Sequence, residues 1–457
     1  MKKKLKIIMP SALFIALLIP SIMLANNTIS YDNKIYQGIT VRNIAVGGMT
    51  KADAKNAVNT VLKKEIENME LKLTYKEKSF VVSSEELKAA YDVDKAVDTA
   101  FAYGKSGNVI NKTINIWKLK KQGYAVPLTF SADTGNVING LISRVTSELN
   151  TGPVNAKIAY AGDGKFIITP EIDGVTVDTE KLKTLISNSV DPVGGFKEIE
   201  IPVSIEPAKL TAATLSGIKE KISGFTTSFN SGDVNRSGNI SLAARTINGT
   251  ILFPGEIFSM NSALGPRSAS AGYKDAPIII NGVLKPGLAG GICQATTTVY
   301  NAALLANLTI VERHQHTLKS AYVPASRDAT ISGSSLDMKF KNTTSAPIYI
   351  QAYTGTSTLT VNFYGTIDHP EQTVNIVSEV LYTIAASTDY IYDSTLEKGK
   401  QIWVQKPAKG MKSRAYREVY ENGVLISRNL LSVDLYNPLT GKLRIGTKVV
   451  EPTASNQ

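Results

Sequence analysis

Cys293 is the one cysteine among 457 residues, and it stands in Gly290-Gly291-Ile292-Cys293-Gln294-Ala295-Thr296, where a glycine pair leads into a helical pattern. A thiol attacks a carbonyl only as thiolate, and a helix N-terminus or a neighbouring imidazole lowers its pKa for that purpose. Two of the three histidines, His314 and His316, follow about twenty residues later. Filler in a packed helix is the competing role, because free cysteine is usually a small buried hydrophobe.

On a strand, residues two apart face the same side, so one of His314 and His316 would reach the thiol. The other could orient it or bind substrate. Downstream, Asp328 could accept the imidazole N–H that fixes the tautomer, and Arg327 could meet a substrate carboxylate through paired hydrogen bonds. The same Arg-Asp pair could equally close a surface loop, and Asp337 is a further polar candidate. A metal needs three or four ligands, and His-x-His with one cysteine and no nearby carboxylate cluster falls short. Neither metal nor cofactor is expected. His369, before Pro370 in a polar stretch, reads as solvent-exposed.

The elements that must position these groups can be read from periodicity. Ala295, Val299, Ala302, Ala303 and Ala306 recur with helical spacing and predict a helix from about 293 to 306 with one buried face. Cys293 then occupies the first turn, where unpaired N–H groups and the helix dipole favour an anion and could hold an oxyanion. Gly290 and Gly291 would let the backbone approach a substrate closely. Thr309 to His314 reads as a strand, Asn239 to Asn248 as a helix, and Ile278 to Leu284 as a hairpin turning at Asn281-Gly282. Tyr349 to Tyr353 with Leu359 to Phe363 reads as a closing hairpin.

Lys2, Lys3, Lys4 and Lys6 precede an uncharged, largely apolar run from Ile7 to Ala25, which is long enough to span a bilayer. Positive charge before the run keeps residues 1–6 in the cytoplasm, so 7–25 is expected to be a single transmembrane signal-anchor. A cleaved signal peptide is the alternative, although Leu24-Ala25-Asn26 is not a small-x-small cleavage site. The rest of the chain is then exported, and one cysteine cannot form an intramolecular disulfide. The net charge of +11 becomes +7 without the four lysines of the tip (46 basic against 39 acidic residues), which suits an anionic envelope surface. No basic stripe interleaved with aromatics points to nucleic acid.

The fold class is α+β multidomain. Lys72 to Tyr75, Phe80 to Val82 and Asp92 recur as Lys157 to Tyr160, Phe166 to Ile168 and Asp178, which suggests tandem α+β modules at 38–130 and 131–210. In the first, Thr50 and Asp53 form a capping box ahead of Ala54, Val58, Val61 and Leu62, which share a helical face. Neither module carries paired carboxylates or histidines, so binding or spacing is their expected role. A central α+β domain at 224–365 holds the nucleophile at its helix N-terminus. Residues 375–450 form a small all-β module with an Asn422-Gly423 turn and no chemistry of its own.

Ser237-Gly238-Asn239, Leu242-Ala243-Ala244-Arg245, Pro254-Gly255-Glu256, Gly265-Pro266-Arg267, Gly290 to Gln294, Tyr300-Asn301-Ala302, Glu312 to His316 and Arg327-Asp328-Ala329-Thr330 together resemble the VanW domain. The tandem units are similar to the peptidoglycan-binding domain that often precedes it, and Gly399, Gly410, Gly423 and Gly446 punctuate a looser likeness to a G5 domain. The resemblance implies cell-wall work in a Gram-positive bacterium, since some membrane-anchored VanW proteins of clostridial type are regarded as L,D-transpeptidases. On that analogy Cys293 takes up a tetrapeptide stem as a thioester, releases D-alanine and passes the acyl group to a neighbouring stem, giving a 3-3 cross-link. His314 or His316 would move the proton and Asp328 would orient it. Arg327, Arg313 and Arg245 would meet stem carboxylates, with Gly291 and Gln294 on the substrate side. The usual L,D-transpeptidase motif, with His ahead of Ser/Thr-x-Gly-Cys, is absent. A cysteine peptidase or carboxypeptidase acting on stem peptides, or a non-catalytic scaffold binding peptidoglycan stems and glycan, are the alternatives.

Overall fold

The computed structural model describes residues 29–280 and 283–449. The expected cytoplasmic tip, the span at 7–25 and the Asn281-Gly282 turn lie outside the described residues. Among the described residues no helix is long and apolar enough to cross a membrane. The chain forms two compact units: residues up to Val154 with Asp173–Pro207, and Asn155–Ile172 with Ala208 onward.

In the first unit, β1 (Ile39–Val41) precedes α1 (Lys51–Glu67), the hairpin β2 (Glu70–Tyr75) and β3 (Lys78–Ser83), α2 (Val93–Ala102), α3 (Val109–Gln122), β4 (Tyr124–Val126) and α4 (Gly135–Leu149). The Thr50 hydroxyl accepts the Asp53 N–H to start α1, which buries Ala54, Val58 and Leu62. Val61 instead lies 54% exposed on the open edge of that stripe. The sequence repeat has a structural basis. A second hairpin, β5 (Lys157–Gly162) and β6 (Lys165–Thr169), precedes α5 (Thr179–Ser187), and the two Asp-capped helices begin at Asp92 and Asp178.

Packing nevertheless crosses the expected division at residue 130. Leu71, Leu73, Phe80 and Val82 of the first hairpin join Ile138, Leu141 and Val145 of α4 and Leu182 and Ile186 of α5 in one core. The second hairpin belongs to the second unit, where Ile158, Tyr160, Phe166 and Ile168 pack on Tyr349, Tyr364 and Leu215. A two-stranded hairpin is marginal alone, so each covers its apolar face with a later part of the chain.

The second unit continues with β7 (Glu220–Ser228), α6 (Val234–Ile247), β8 (Thr250–Leu252), β9 (Ile257–Ser259), β10 (Asp275–Ile280), β11 (Val283–Leu288), α7 (Ile292–Leu305), β12 (Thr309–Glu312), β13 (Lys339–Lys341), β14 (Ile348–Thr354) and β15 (Thr358–Gly365). An antiparallel sheet of order β7-β15-β14-β8 packs against α6 and α7, and β9, β13 and β12 form a smaller sheet. One-sided burial was expected for α7, but it is buried almost all round. Its threonines tolerate this because their hydroxyls are bonded: Thr296 to Ile292 O at 3.0 Å, Thr297 to Ala329 O at 3.0 Å, Thr298 to Gln294 O at 2.7 Å.

The C-terminal part is all-β: β16 (Gln372–Ile384), β17 (Thr388–Glu397), β18 (Gln401–Gln405), β19 (Gly410–Glu421), β20 (Val424–Tyr436) and β21 (Gly441–Lys448) form sheets of order β16-β19-β20 and β17-β21-β18. Asn422 at φ 49° and Gly423 at φ 83° close the β19–β20 hairpin in the left-handed backbone that a two-residue type I′ turn requires.

Candidate active site at the start of the central helix

The glycine pair shapes the entrance to α7. Gly291, the N-cap, has φ 106°, and a Cβ there would lie 3.0 Å from Ile240 and 3.1 Å from Arg236. One on Gly290 would lie 2.8 Å from the backbone of Ala276 and Pro277. Both glycines therefore serve the close passage of the chain between α6 and β10, whereas the sequence suggested approach to a substrate. Gly291→Ala combines a positive φ with overpacking and is expected to cost about 2 kcal/mol. A thermal scan checks this, and an unchanged midpoint would contradict it.

Cys293 is a free, partly buried thiol in the first turn of α7. Its Sγ lies 3.3 Å from Thr330 Oγ1 and 3.7 Å from the Ile331 carbonyl, to which it donates. His316 stands beside the sulfur, close enough to lower the thiol pKa. On its other side, His316 Nδ1 is 2.6 Å from Asp328 Oδ2, which also accepts the His316 backbone N–H at 2.8 Å. Asp328 is held ionised, so it can only accept, which puts a proton on Nδ1 and turns Nε2 to the thiol.

The electrostatics follow from these contacts. Burial pushes the Asp328 pKa up, but hydrogen bonding and charge from His316, the Arg313 guanidinium and the Tyr436 phenol outweigh it and hold the carboxyl at about 2. Burial pulls His316 down, yet its bonds to Asp328 and Cys293 raise it to about 9. Burial likewise pushes the Cys293 thiol up, and His316, then Thr330 and Ile331, more than compensate, so the thiol pKa is lowered. A lowered thiol beside a raised imidazole favours the thiolate–imidazolium pair.

The second histidine goes elsewhere. The strand was expected to run through His314 but ends at Glu312, and beyond it the chain is irregular, so the two side chains do not share a face. His314 Nε2 sits 3.0 Å from Glu312 Oε1, and Glu312 also takes Lys339 at 2.8 Å. The His314 carbonyl accepts the Thr330 N–H at 2.9 Å and so fixes the residue beside the sulfur.

Of the candidate substrate-binding residues, Arg313 is buried and already committed. Its Nη2 reaches Asp328 Oδ1 at 3.1 Å, its Nη1 reaches Asp434 Oδ1 at 2.8 Å, and its Nε donates to the Asp328 carbonyl at 2.7 Å. Gln294 is also spent internally, bonded to Arg236, Thr227 and the Ser228 carbonyl at 2.7, 3.0 and 2.9 Å. Arg327 donates to Asn301 Oδ1 at 2.8 Å and covers the Phe225 ring. Asn301 lies about 12 Å beyond Cys293 along α7 at 1.5 Å per residue. Arg245 is exposed late in α6 and bonds Ser241 at 2.8 Å, whereas Arg236, Asn239 and Ile240 are the α6 residues beside the Gly290–Gly291 turn.

Sequence reasoning missed three aromatic or acidic residues here. Tyr322 lies near Thr297 and Cys293, and burial, with the Cys293 charge adding to it, pushes its phenol well up, so it stays neutral. Tyr436 and Asp434 come from the C-terminal β module. The Tyr436 hydroxyl donates to Asp328 Oδ1 and accepts the Ser326 N–H at 2.8 Å. Around it Ser326 meets Ser413, Gln315 donates to the Leu435 carbonyl, and the Asn437 N–H donates to the Thr317 carbonyl, each at 2.8 Å. The module expected to have no chemistry of its own thus supplies the outer supports of Asp328. Tyr436 is 108 positions from it. Among the described residues no cluster of three or more His, Cys, Asp or Glu could hold a metal.

The chain around this site has relatives among known proteins. Residues 235–364 match the family described as VanW like protein, residues 80–193 a peptidoglycan binding domain and residues 376–448 a G5 domain. The chain therefore carries a VanW-like domain, with its nucleophile candidate inside it, between a peptidoglycan-binding and a G5 domain. It is 42% identical over 171 residues to the uncharacterized protein YoaR of Bacillus subtilis (strain 168), covering 36% of this chain and 56% of that one. It is 36% identical over 115 residues to the vancomycin B-type resistance protein VanW of Enterococcus faecalis (strain ATCC 700802 / V583), covering 24% and 42%. The chain thus spans about half the length of the curated relatives it matches. The solved IgA1 protease G5 domain structure is 20% identical over 18% of this chain and 99% of that one, with a TM-score of 0.13, too slight a likeness to bear on the fold.

Proposed function

We propose that the protein is a peptidoglycan L,D-transpeptidase, anchored in the cell membrane by residues 7–25 and facing the cell wall. The observation that carries this reading is the line Cys293–His316–Asp328: an imidazole hydrogen-bonded to an orienting carboxylate at 2.6 Å stands beside a thiol whose pKa it lowers. The flanking peptidoglycan-binding and G5 domains support a wall substrate.

In the proposed reaction the Cys293 thiolate attacks the carbonyl of the third stem residue, a diaminopimelate. The Ile292 and Gln294 N–H groups already donate to the Ala289 and Gly291 carbonyls at 3.3 and 3.0 Å, so the Cys293 N–H, with the Thr330 and Tyr322 hydroxyls nearby, is the donor for the oxyanion. The His316 imidazolium gives its proton to the leaving D-alanine amine, and a thioester remains. The side-chain amine of a second diaminopimelate then attacks, His316 takes its proton, and the thiolate departs as the new amide forms. Arg327, without a carboxylate partner among the described residues, is the better placed of the arginines for a more distant stem carboxylate.

The full chain in a bilayer, incubated with disaccharide-tetrapeptide, is expected to yield a dimer lacking one D-alanine by mass spectrometry. A tripeptide monomer as sole product would make the protein a carboxypeptidase. No product and no thioester at Cys293 would leave a wall-binding scaffold.

A further inference from the structure

The helix α3 in the first unit is amphipathic in the wrong sense for a surface helix. Ile116 and Leu119 face the core. On the opposite side Ile110, Ile114 and Trp117 are 67%, 46% and 64% exposed. At 100° per residue these three fall within about 60° of one another, diametrically across from Leu119. Lys121 extends the same stripe, with its ammonium 5.3 Å from the Trp117 ring centre. Exposed Lys118 and Lys120 flank the stripe, and the helix contains no carboxylate. Single exposed hydrophobes need no explanation, but a contiguous Ile-Ile-Trp stripe flanked by lysines and by the uncharged Thr113 and Asn111, with no carboxylate, is the composition of a helix lying in a lipid interface.

The chain itself brings a membrane to this face. The Asp32 carbonyl accepts the Lys105 ammonium at 3.4 Å, and Asn115 of α3 donates to the Gly104 carbonyl at 3.1 Å. The segment at Asp32 is therefore fixed to the turn that opens α3. Seven residues lead from Ala25, the end of the apolar run, to Asp32. Fully extended, they reach at most about 25 Å. If residues 7–25 span the bilayer, that turn cannot leave the neighbourhood of the headgroups.

We propose that the Ile110–Ile114–Trp117 face of α3 rests on the anionic outer surface of the membrane, with its lysines at the headgroups. The proposal rests on the reading of residues 7–25 as an anchor. It makes the first unit a membrane-apposed body instead of a freely swinging one. Phospholipid, not a second protein, is the occupant that the carboxylate-free, lysine-bearing edge and the short tether favour.

The test uses the full chain in vesicles of phosphatidylglycerol and phosphatidylcholine. Trp117 and Trp403 are the two tryptophans, so Trp403→Phe leaves Trp117 as the reporter. Acyl-brominated phosphatidylglycerol is expected to quench its emission about twofold or more, as for an indole at the acyl boundary. Combined Lys118→Glu, Lys120→Glu and Lys121→Glu should abolish the quenching while the chain still floats with the vesicles. Flotation with Trp117 unquenched overturns the proposal but not the anchor. Emission that is blue-shifted yet unquenched overturns it in favour of a protein cover, either a second copy or the chain's own residues 1–28. Failure to float overturns both.

Discussion

Cys293→Ala is expected to abolish cross-linked dimer and thioester together while the protein stays folded. The side chain is small and partly buried, so its loss removes one sulfur's packing, on the order of 1 kcal/mol. The chemistry has no substitute for it, because a serine hydroxyl is too weak an acid for His316 to ionise and Cys293→Ser should be equally silent. Alkylation of the wild-type thiol by iodoacetamide should persist below the ordinary thiol pKa of about 8.5. In His316→Ala only Thr330 and Ile331 remain to oppose burial, so the midpoint should rise above that value. Turnover also needs protonated His316 to release D-alanine, and so should decline as pH passes about 9. Dimer formation by Cys293→Ala would exclude the covalent route.

Asp328→Asn is expected to lower turnover by about a thousandfold or more, the scale known for loss of an orienting carboxylate. An amide offers His316 Nδ1 a donor in place of an acceptor, which favours the tautomer whose Nε2 proton faces the sulfur and disables the base. The same substitution should change acid stability. The Asp328 carboxyl sits at about 2 in the fold, below its unfolded value of about 3.9. Its stabilising contribution is therefore full above pH 4 and lost as pH falls towards 2. Thermal midpoints between pH 4 and 2 should fall more steeply for the wild type than for D328N. Near-normal turnover in D328N would remove Asp328 from the site.

Local signals were legible in the sequence, and long-range ones were not. The helix after Gly291, the Asn422-Gly423 hairpin and the repeat of a hairpin followed by an Asp-capped helix all depend on residues a few positions apart. The Cys293, His316 and Asp328 trio was reachable because it lies within one stretch of chain and uses residue types that chemistry restricts. Choosing between His314 and His316 was not possible, because the choice depends on β12 ending at Glu312, where irregular backbone cancels the two-residue alternation. Arg313 looked like a free cation because its two carboxylate partners are 15 and 121 positions away. The hairpin offset was hidden for a similar reason, since repeated sequence says which strands pair but not which neighbour covers them.

The Tyr436–Asp328 contact also orders events in time. A polypeptide is made from its N-terminus, so Asp328 emerges long before the residue 108 positions later that helps hold it. Arg313 must likewise wait for Asp434. A half-made chain would thus hold His316 and Asp328 without these supports, and the surroundings of Cys293 are complete only once Asp434 and Tyr436 have packed onto residues 313–328. On the proposed reading, the one thiol of the chain would gain its full support last, with the arrival of that tyrosine.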